Sequence, residues 1–190
     1  MSAGHFHVHG PHDHEVEHAA HGGDPFAARI AVMTAIFATI GALFGYMAGA
    51  TQNDALLFKN DAAIKTLEAS DQWNFYQAKS SKQNLAELGA TLTTGDAQAK
   101  YRQEIERYKK EKDDIMVEAK KLEDVGKQAN AQSAASMHLH HRWAQAMTLI
   151  QIAIALAAIT ILTRNKAMGV GAIGVGVGSI ALGALAFAHI

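Results

Sequence analysis

The chain has 190 residues, a net charge of −1 and no cysteine, and 49% of its residues are hydrophobic. The near-neutral charge gives no general attraction to nucleic acid, and the lack of cysteine excludes disulfides, thiolate metal ligands and cysteine nucleophiles. The hydrophobic residues are concentrated in three blocks without Asp, Glu, Lys or Arg. Because a helix needs about 20 residues to cross a hydrocarbon core of roughly 30 Å, these blocks predict three transmembrane helices.

The predicted fold is an all-α membrane protein with a long antiparallel helical hairpin, similar to a coiled coil, between the first and second transmembrane helices. The predicted segments are a His-rich cytoplasmic tail (1–29), transmembrane helix 1 (30–50), the hairpin (51–142) with a turn near 89–96, transmembrane helix 2 (143–163), a cytoplasmic turn (164–167) and a glycine-rich transmembrane helix 3 (168–190).

The N-terminal tail contains too little apolar surface to fold alone, but it is dense in imidazole. Two interpretations are open: a site for a divalent transition metal such as zinc, nickel or copper, or a disordered tail that chelates metal only weakly. No carboxylate–histidine spacing defines a closed site, and no other cofactor is expected. The candidate ligands are His5, His7, His9, His12, His14, His18 and His21.

Glycines occur four residues apart in the first and third hydrophobic blocks. Small residues let helix backbones approach closely, which stabilises helix association in lipid. The alternative is that transmembrane helices are simply rich in glycine. We predict helix packing, including packing between subunits, at Gly41, Gly45, Gly49, Gly174, Gly178 and Gly183.

The hairpin is predicted from apolar positions that recur every three or four residues on both sides of a turn. In the first arm the predicted seam is Leu57, Ile64, Leu67, Ala78, Leu85, Leu88 and Leu92, interrupted by Asp71, Asn74 and Ser81. In the return arm it is Tyr101, Ile105, Tyr108, Lys112, Ile115, Ala119, Leu122, Gly126, Ala129 and Ser133.

Folding the two arms about Thr94 places Lys112 near Asn74 and about one helical turn from Asp71. We therefore predict that Asp71, Asn74 and Lys112 form a buried polar layer, which would fix register and partner number. The competing hypothesis is an exposed docking site.

The segment from Asp71 to Lys82, DQWNFYQAKSSK, resembles a bacterial membrane family catalogued as domain of unknown function 4337, in which a D-Q-W-x-Y-Y-Q-A-K-S-x-K segment occurs. The resemblance extends over nearly the whole chain, through Asn53–Leu56 and Leu149–Arg164. Phe75 and Ser81 depart from the usual pattern. Since no activity is established for the family, the resemblance implies no catalytic residues. The segment residues predicted to matter are Asp71, Gln72, Trp73, Asn74, Tyr76, Gln77, Lys79 and, from the return arm, Lys112.

The predicted function is that of a homo-oligomeric membrane scaffold or interaction protein, with lipid and further copies of itself as partners and no nucleic acid. A channel-like or metal-handling transport protein is the alternative. We do not expect an enzyme, because a two-helix arm is too thin to enclose a pocket of about 300 Å³. Which other proteins it meets does not follow from the sequence.

The predicted location is the bacterial inner membrane. Arg29, Arg164 and Lys166 are basic residues in short segments beside the hydrophobic blocks, and such residues favour the cytoplasmic side. The N-terminus is thus expected in the cytoplasm and the hairpin outside it.

Overall fold

The computed structural model describes residues 25–188, and these residues form three helices and no strand. The helices are α1 (Pro25–Leu92), α2 (Gly95–Thr163) and α3 (Lys166–Phe187). Each contains an 18-residue window with a mean hydropathy of 1.9, 2.2 and 2.0 respectively, so each is long and apolar enough to cross a membrane. The all-α prediction is confirmed for the described residues. The predicted metal ligands His5 to His21 lie outside them.

Two residues, Thr93 and Thr94, separate α1 from α2. Helix α2 begins at Gly95, whose φ of +66° lies in the left-handed region that glycine adopts without a Cβ clash. Asp96 follows in the first turn, where a negative charge is favourable beside the positive end of the helix dipole. The reversal of the chain therefore depends on local turn chemistry.

The break between α2 and α3 comprises Arg164 and Asn165. The Oδ1 atom of Asn165 accepts a hydrogen bond of 3.0 Å from the backbone N–H of Ala167, which caps the start of α3. Arg164 adopts a φ of 51°, a left-handed conformation that ends α2.

The described residues up to Gln52 and from Met137 onward form one compact unit, which we call the apolar unit. All three helices contribute to it. Its core consists of three small clusters of buried residues: Ile30, Ala157 and Ala172; Phe37, Ile150 and Ala153; and Ala48, Trp143 and Ala186. Most of these residues are alanines, so the helices of this unit pack at close range.

Two glycines of α3 make room for aromatic rings of α1. A Cβ atom at Gly176 would overlap the ring of Phe37, and one at Gly183 would overlap the ring of Phe44. Phe44 in turn contacts the buried Trp143, with 5.6 Å between the ring centroids. Within the unit the Trp143 side chain is only 5% exposed.

Asn53–Ser136 forms the second compact unit, which we call the charged unit. As residue numbers rise along α1 in this unit, the numbers of the α2 residues that they contact fall. The pairs joined by a hydrogen bond or an ion pair are Ala55 with Ser133, Lys59 with Asn130, Trp73 with Glu123, Lys79 with Glu111 and Ala90 with Gln98.

The seam residues predicted in α2 all lie against α1 or close to it, since each of the ten is buried or half-buried. The seam predicted in α1 was wrong. Its six leucine and isoleucine side chains are between 51% and 76% exposed. A different set of α1 residues, each buried or half-buried, recurs every three or four positions: Ala55, Phe58, Ala62, Lys65, Ala69, Gln72, Tyr76, Lys79, Gln83, Ala86 and Ala90.

This outcome has a steric reason. The part of the α2 seam at Ala119, Gly126 and Ser133 is made of small residues, which bring the two backbones close together. A face that carries leucine at every turn is too bulky for that spacing, whereas the α1 face with Ala55, Ala62 and Ala69 fits it.

Candidate interaction site

A stripe of large aliphatic side chains remains exposed along the charged unit. We call it the exposed stripe, and it consists of Leu57, Ile64, Leu67, Leu85, Leu88 and Leu92 on α1. Charged residues such as Lys59, Asp61 and Glu68 lie between its members. Lipid therefore does not account for the exposure, because a span in hydrocarbon seldom tolerates so many charges.

A groove of about 980 Å³ lies beside the exposed stripe, between α1 and α2 of the charged unit. We call it the charged-unit groove. Small residues line it from both helices, including Ala62, Ala69 and Gly126, and Leu67 and Asn74 also line it. Leu67 therefore belongs to both the groove and the exposed stripe.

The family segment (71–82) contributes several contacts to α2. Trp73 donates a hydrogen bond of 2.8 Å from Nε1 to Oε1 of Glu123. The Trp73 ring also meets Tyr76 edge-on, with 5.6 Å between centroids. The ammonium of Lys112 lies 5.2 Å from the centroid of the Tyr76 ring, within the range of a cation–π interaction. These contacts join aromatic residues of α1 to charged residues of α2.

The predicted layer of Asp71, Asn74 and Lys112 is not assembled within one chain. Asp71 and Asn74 are exposed on α1, whereas Lys112 is half-buried over Tyr76. Of the remaining segment residues, Gln72 is half-buried in the α1 seam. The burial of Asp71 and Asn74 against another molecule stays a prediction.

The ion pair between Lys79 and Glu111, with 2.5 Å between Nζ and Oε2, is a contact that the sequence reading missed. The hydrogen bond from Lys79 lowers the pKa of Glu111 below its usual value; desolvation opposes this, and the charges of Lys79 and Arg107 reinforce it. Lys79 also lies 5.7 Å from the ring centroid of Tyr108, which keeps the ammonium between two helices. Tyr108 belongs to the predicted α2 seam, but Lys79 does not belong to the predicted α1 seam, which runs through its neighbour Ala78.

The six glycines predicted to pack divide into two groups. A Cβ atom at Gly41 would lie 3.0 Å from Cγ2 of Ile150, and one at Gly45 would lie 3.4 Å from the Sδ and Cε atoms of Met147. Gly183 contacts Phe44, so these three glycines serve packing inside the chain. A Cβ atom at any of the other three would meet no atom within 4 Å: Gly49, Gly174 and Gly178.

The histidines of the described part of the chain lie near the start of the second hydrophobic block. The Nδ1 atom of His140 is 2.8 Å from the backbone carbonyl of Ala48, a contact in which the imidazole N–H donates. His138 and His141 line a separate pocket of about 340 Å³ together with Arg142. Residues 25–188 contain no group of three or more His, Asp or Glu side chains placed to hold a metal ion.

The profile of one protein family, described as Domain of unknown function (DUF4337), matches residues 26–189. This match spans all three helices, both units and the family segment. No curated protein and no solved structure matches the chain.

Proposed function

Since the chain belongs to the family described as Domain of unknown function (DUF4337), we propose its function from its own geometry: a homo-oligomeric membrane scaffold. In this proposal the apolar unit anchors the protein through three membrane spans. The charged unit is an antiparallel helical hairpin outside the cytoplasm. Its role is to associate with further copies, and it is not catalytic.

The exposed stripe is the observation that carries this proposal. Leu67, Leu85 and Leu92 are 67%, 71% and 76% exposed on a helix whose other positions carry many charges. Burying one leucine side chain stabilises an assembly by about 1.5–3 kcal/mol, and a cluster of exposed apolar side chains on a water-exposed unit marks an interaction site. A scaffold that associates through its hairpins uses this surface directly.

Open glycines in the apolar unit support the same proposal. Gly174 and Gly178 lie one helical turn apart on the exposed side of α3, and they leave room for a close approach by another helix. In lipid, such a face favours contact with a helix of another subunit. The proposed assembly then has two contact regions, one in the membrane and one in the hairpin.

The oligomeric state of the full chain in lipid nanodiscs tests the proposal, with native mass spectrometry as the measurement. We expect more than one copy per particle. Leu85→Gln should lower the oligomer fraction, because it places a polar amide on the exposed stripe. Val117→Gln is the matched control, since Val117 is 64% exposed on α2 but does not belong to the exposed stripe.

A single copy per particle at every protein concentration would contradict the scaffold function. Equal losses in the Leu85→Gln and Val117→Gln proteins would show that the exposed stripe does not carry it. Ion conductance by the purified protein in planar bilayers would instead favour the channel-like alternative.

A further inference from the structure

We infer that two copies of the charged unit pair side by side and in parallel, with α1 of each copy lying along the charged-unit groove of the other. The partner is thus a second copy of this chain, and residue 67 of one copy lies beside residue 67 of the other. This inference rests on the proposed self-association and names the surface that produces it.

The dimensions of the groove suit a helix. Hydrogen bonds from Lys59 to Asn130, at 2.6 Å, and from Trp73 to Glu123, at 2.8 Å, cross from α1 to α2 between residues that line it. The step of 14 positions from Lys59 to Trp73 corresponds to about 21 Å, or four helical turns. A groove of this length with a floor of small residues accepts large side chains from a helix that lies along it.

One edge of the groove has the spacing of a helix contact face. Six α1 residues that line the groove follow one another at intervals of three or four: Asn60, Ala63, Leu67, Ser70, Asn74 and Gln77. The same face continues through Ser81, Leu85, Leu88 and Leu92, three of which belong to the exposed stripe. This repeat is independent of the one that packs α1 against α2, so α1 presents two contact faces.

Alternating side-chain size makes this face complementary to itself. Leu67 is large and 67% exposed, whereas Ala63 and Ser70, about one turn on either side of it, are small. In a parallel pair, Leu67 of each copy fits into the space beside Ala63 and Ser70 of the other. A contact that uses the same patch on both copies closes as a two-fold pair.

The polar groups of the face favour parallel pairing in register. None of the ten residues of this face is charged. When each residue lies opposite the same residue of the other copy, no like charges on this face are therefore brought together. Asn74 would face Asn74, and the two amides can exchange hydrogen bonds, as a central asparagine pair does in parallel coiled coils. Two hairpins anchored in one membrane also start from the same height, which places equal residue numbers beside each other.

Because the natural chain has no cysteine, single cysteines can test this pairing in the full-length protein. We expect Leu67→Cys and Asn74→Cys proteins in membrane vesicles to form covalent dimers with a short bis-methanethiosulfonate reagent. Asp61→Cys is the control, because residue 61 lies on α1 at a similar height but does not line the groove. Its cross-linking should be at least tenfold lower.

Leu67→Asp should weaken dimerisation at least tenfold, whereas Leu57→Asp should change it less than threefold. Both leucines are more than half exposed, but only Leu67 lines the groove. Three results would overturn the inference. The first is equal cross-linking at residues 61 and 67, and the second is cross-linking of Leu67→Cys protein only when it is mixed with Ser81→Cys protein. The third is a cross-linked product that contains a different protein. If the chain remains oligomeric in any of these cases, the scaffold function stands and only the pairing fails. A monomeric chain rejects both.

Discussion

Single side chains decide how closely the helices of this protein approach one another. Gly176 and Gly183 lie beneath the rings of Phe37 and Phe44, where even a methyl group would collide. By contrast, a Cβ atom at Gly174, two residues from Gly176, would meet no atom of residues 25–188 within 4 Å. The sequence shows a row of glycines but not which of them face inward, because that depends on where the aromatic residues of α1 lie.

Glu111 gives the charged unit a dependence on pH. Its pKa is lowered by the hydrogen bond from Lys79. The ionised carboxylate is therefore more stable in the folded state than in the unfolded state. The stabilisation is fully present above the unfolded pKa of about 4.3 and is lost as the pH falls through the lower folded value. Glu111→Gln should therefore melt below wild type at pH 7, with a difference that shrinks on acidification.

Circular dichroism melts of the full chain in detergent measure this difference. Glu118→Gln is the control, because Glu118 pairs only with Lys121 on the same helix, at 3.5 Å, and such surface pairs contribute little. A difference for Glu111→Gln that stays constant or grows between pH 7 and pH 3 would contradict the assignment.

Helix α1 has two faces on which residues recur every three or four positions. The prediction of its packing face was wrong because both faces have this spacing. The sequence predicts a core of large aliphatic residues such as Leu67 and Leu85, since burying them gives the largest favourable change in free energy. The face that packs in the chain carries alanine, lysine, glutamine and tyrosine. The small residues of the α2 seam, from Ala119 to Ser133, were already a signal that a small-residue face must lie opposite.

The sequence was sufficient for the features that depend on local chemistry. Three apolar segments, the turn chemistry at Gly95 and the α2 seam follow from composition and spacing. The pairing of Trp73 with Glu123 and of Lys79 with Glu111 does not, because it depends on the exact offset and rotation of two long helices. For the same reason the predicted grouping of Asp71 with Lys112 was not found within the chain.

Close packing of the alanine face leads to a direct test. Ala69 is 2% exposed in the α1 seam, so Ala69→Leu should force the helices apart and destabilise the charged unit by about 1–3 kcal/mol. Ala78 is exposed on the same helix, and Ala78→Leu should leave the melting temperature nearly unchanged. Chemical denaturation followed by circular dichroism compares the two. Equal stability of both variants would mean that Ala69 does not lie in a tight interface.

On the scale of the whole molecule, two units of opposite character alternate along one chain. The apolar unit combines the first residues of α1 with the end of α2 and all of α3, and the charged unit is formed between them. Because both ends of the charged unit join hydrophobic spans, its two helices are proposed to leave the membrane on one side. In the proposed scaffold, copies inserted into the same membrane would have their charged units on the same side of it.

The side of the membrane follows from a few basic residues. Arg164 lies in the short break between α2 and α3 and Lys166 directly follows it, and basic residues in short loops are retained in the cytoplasm. We therefore expect the turn at Thr94 outside the cytoplasm and the 164–166 break inside it. In intact cells, a membrane-impermeant maleimide should label Thr94→Cys but not Ala167→Cys, while both should be labelled after the membrane is permeabilised. The absence of natural cysteine makes each signal specific to its site. Labelling of Ala167→Cys alone in intact cells would invert the topology, and the charged unit would then meet cytoplasmic partners.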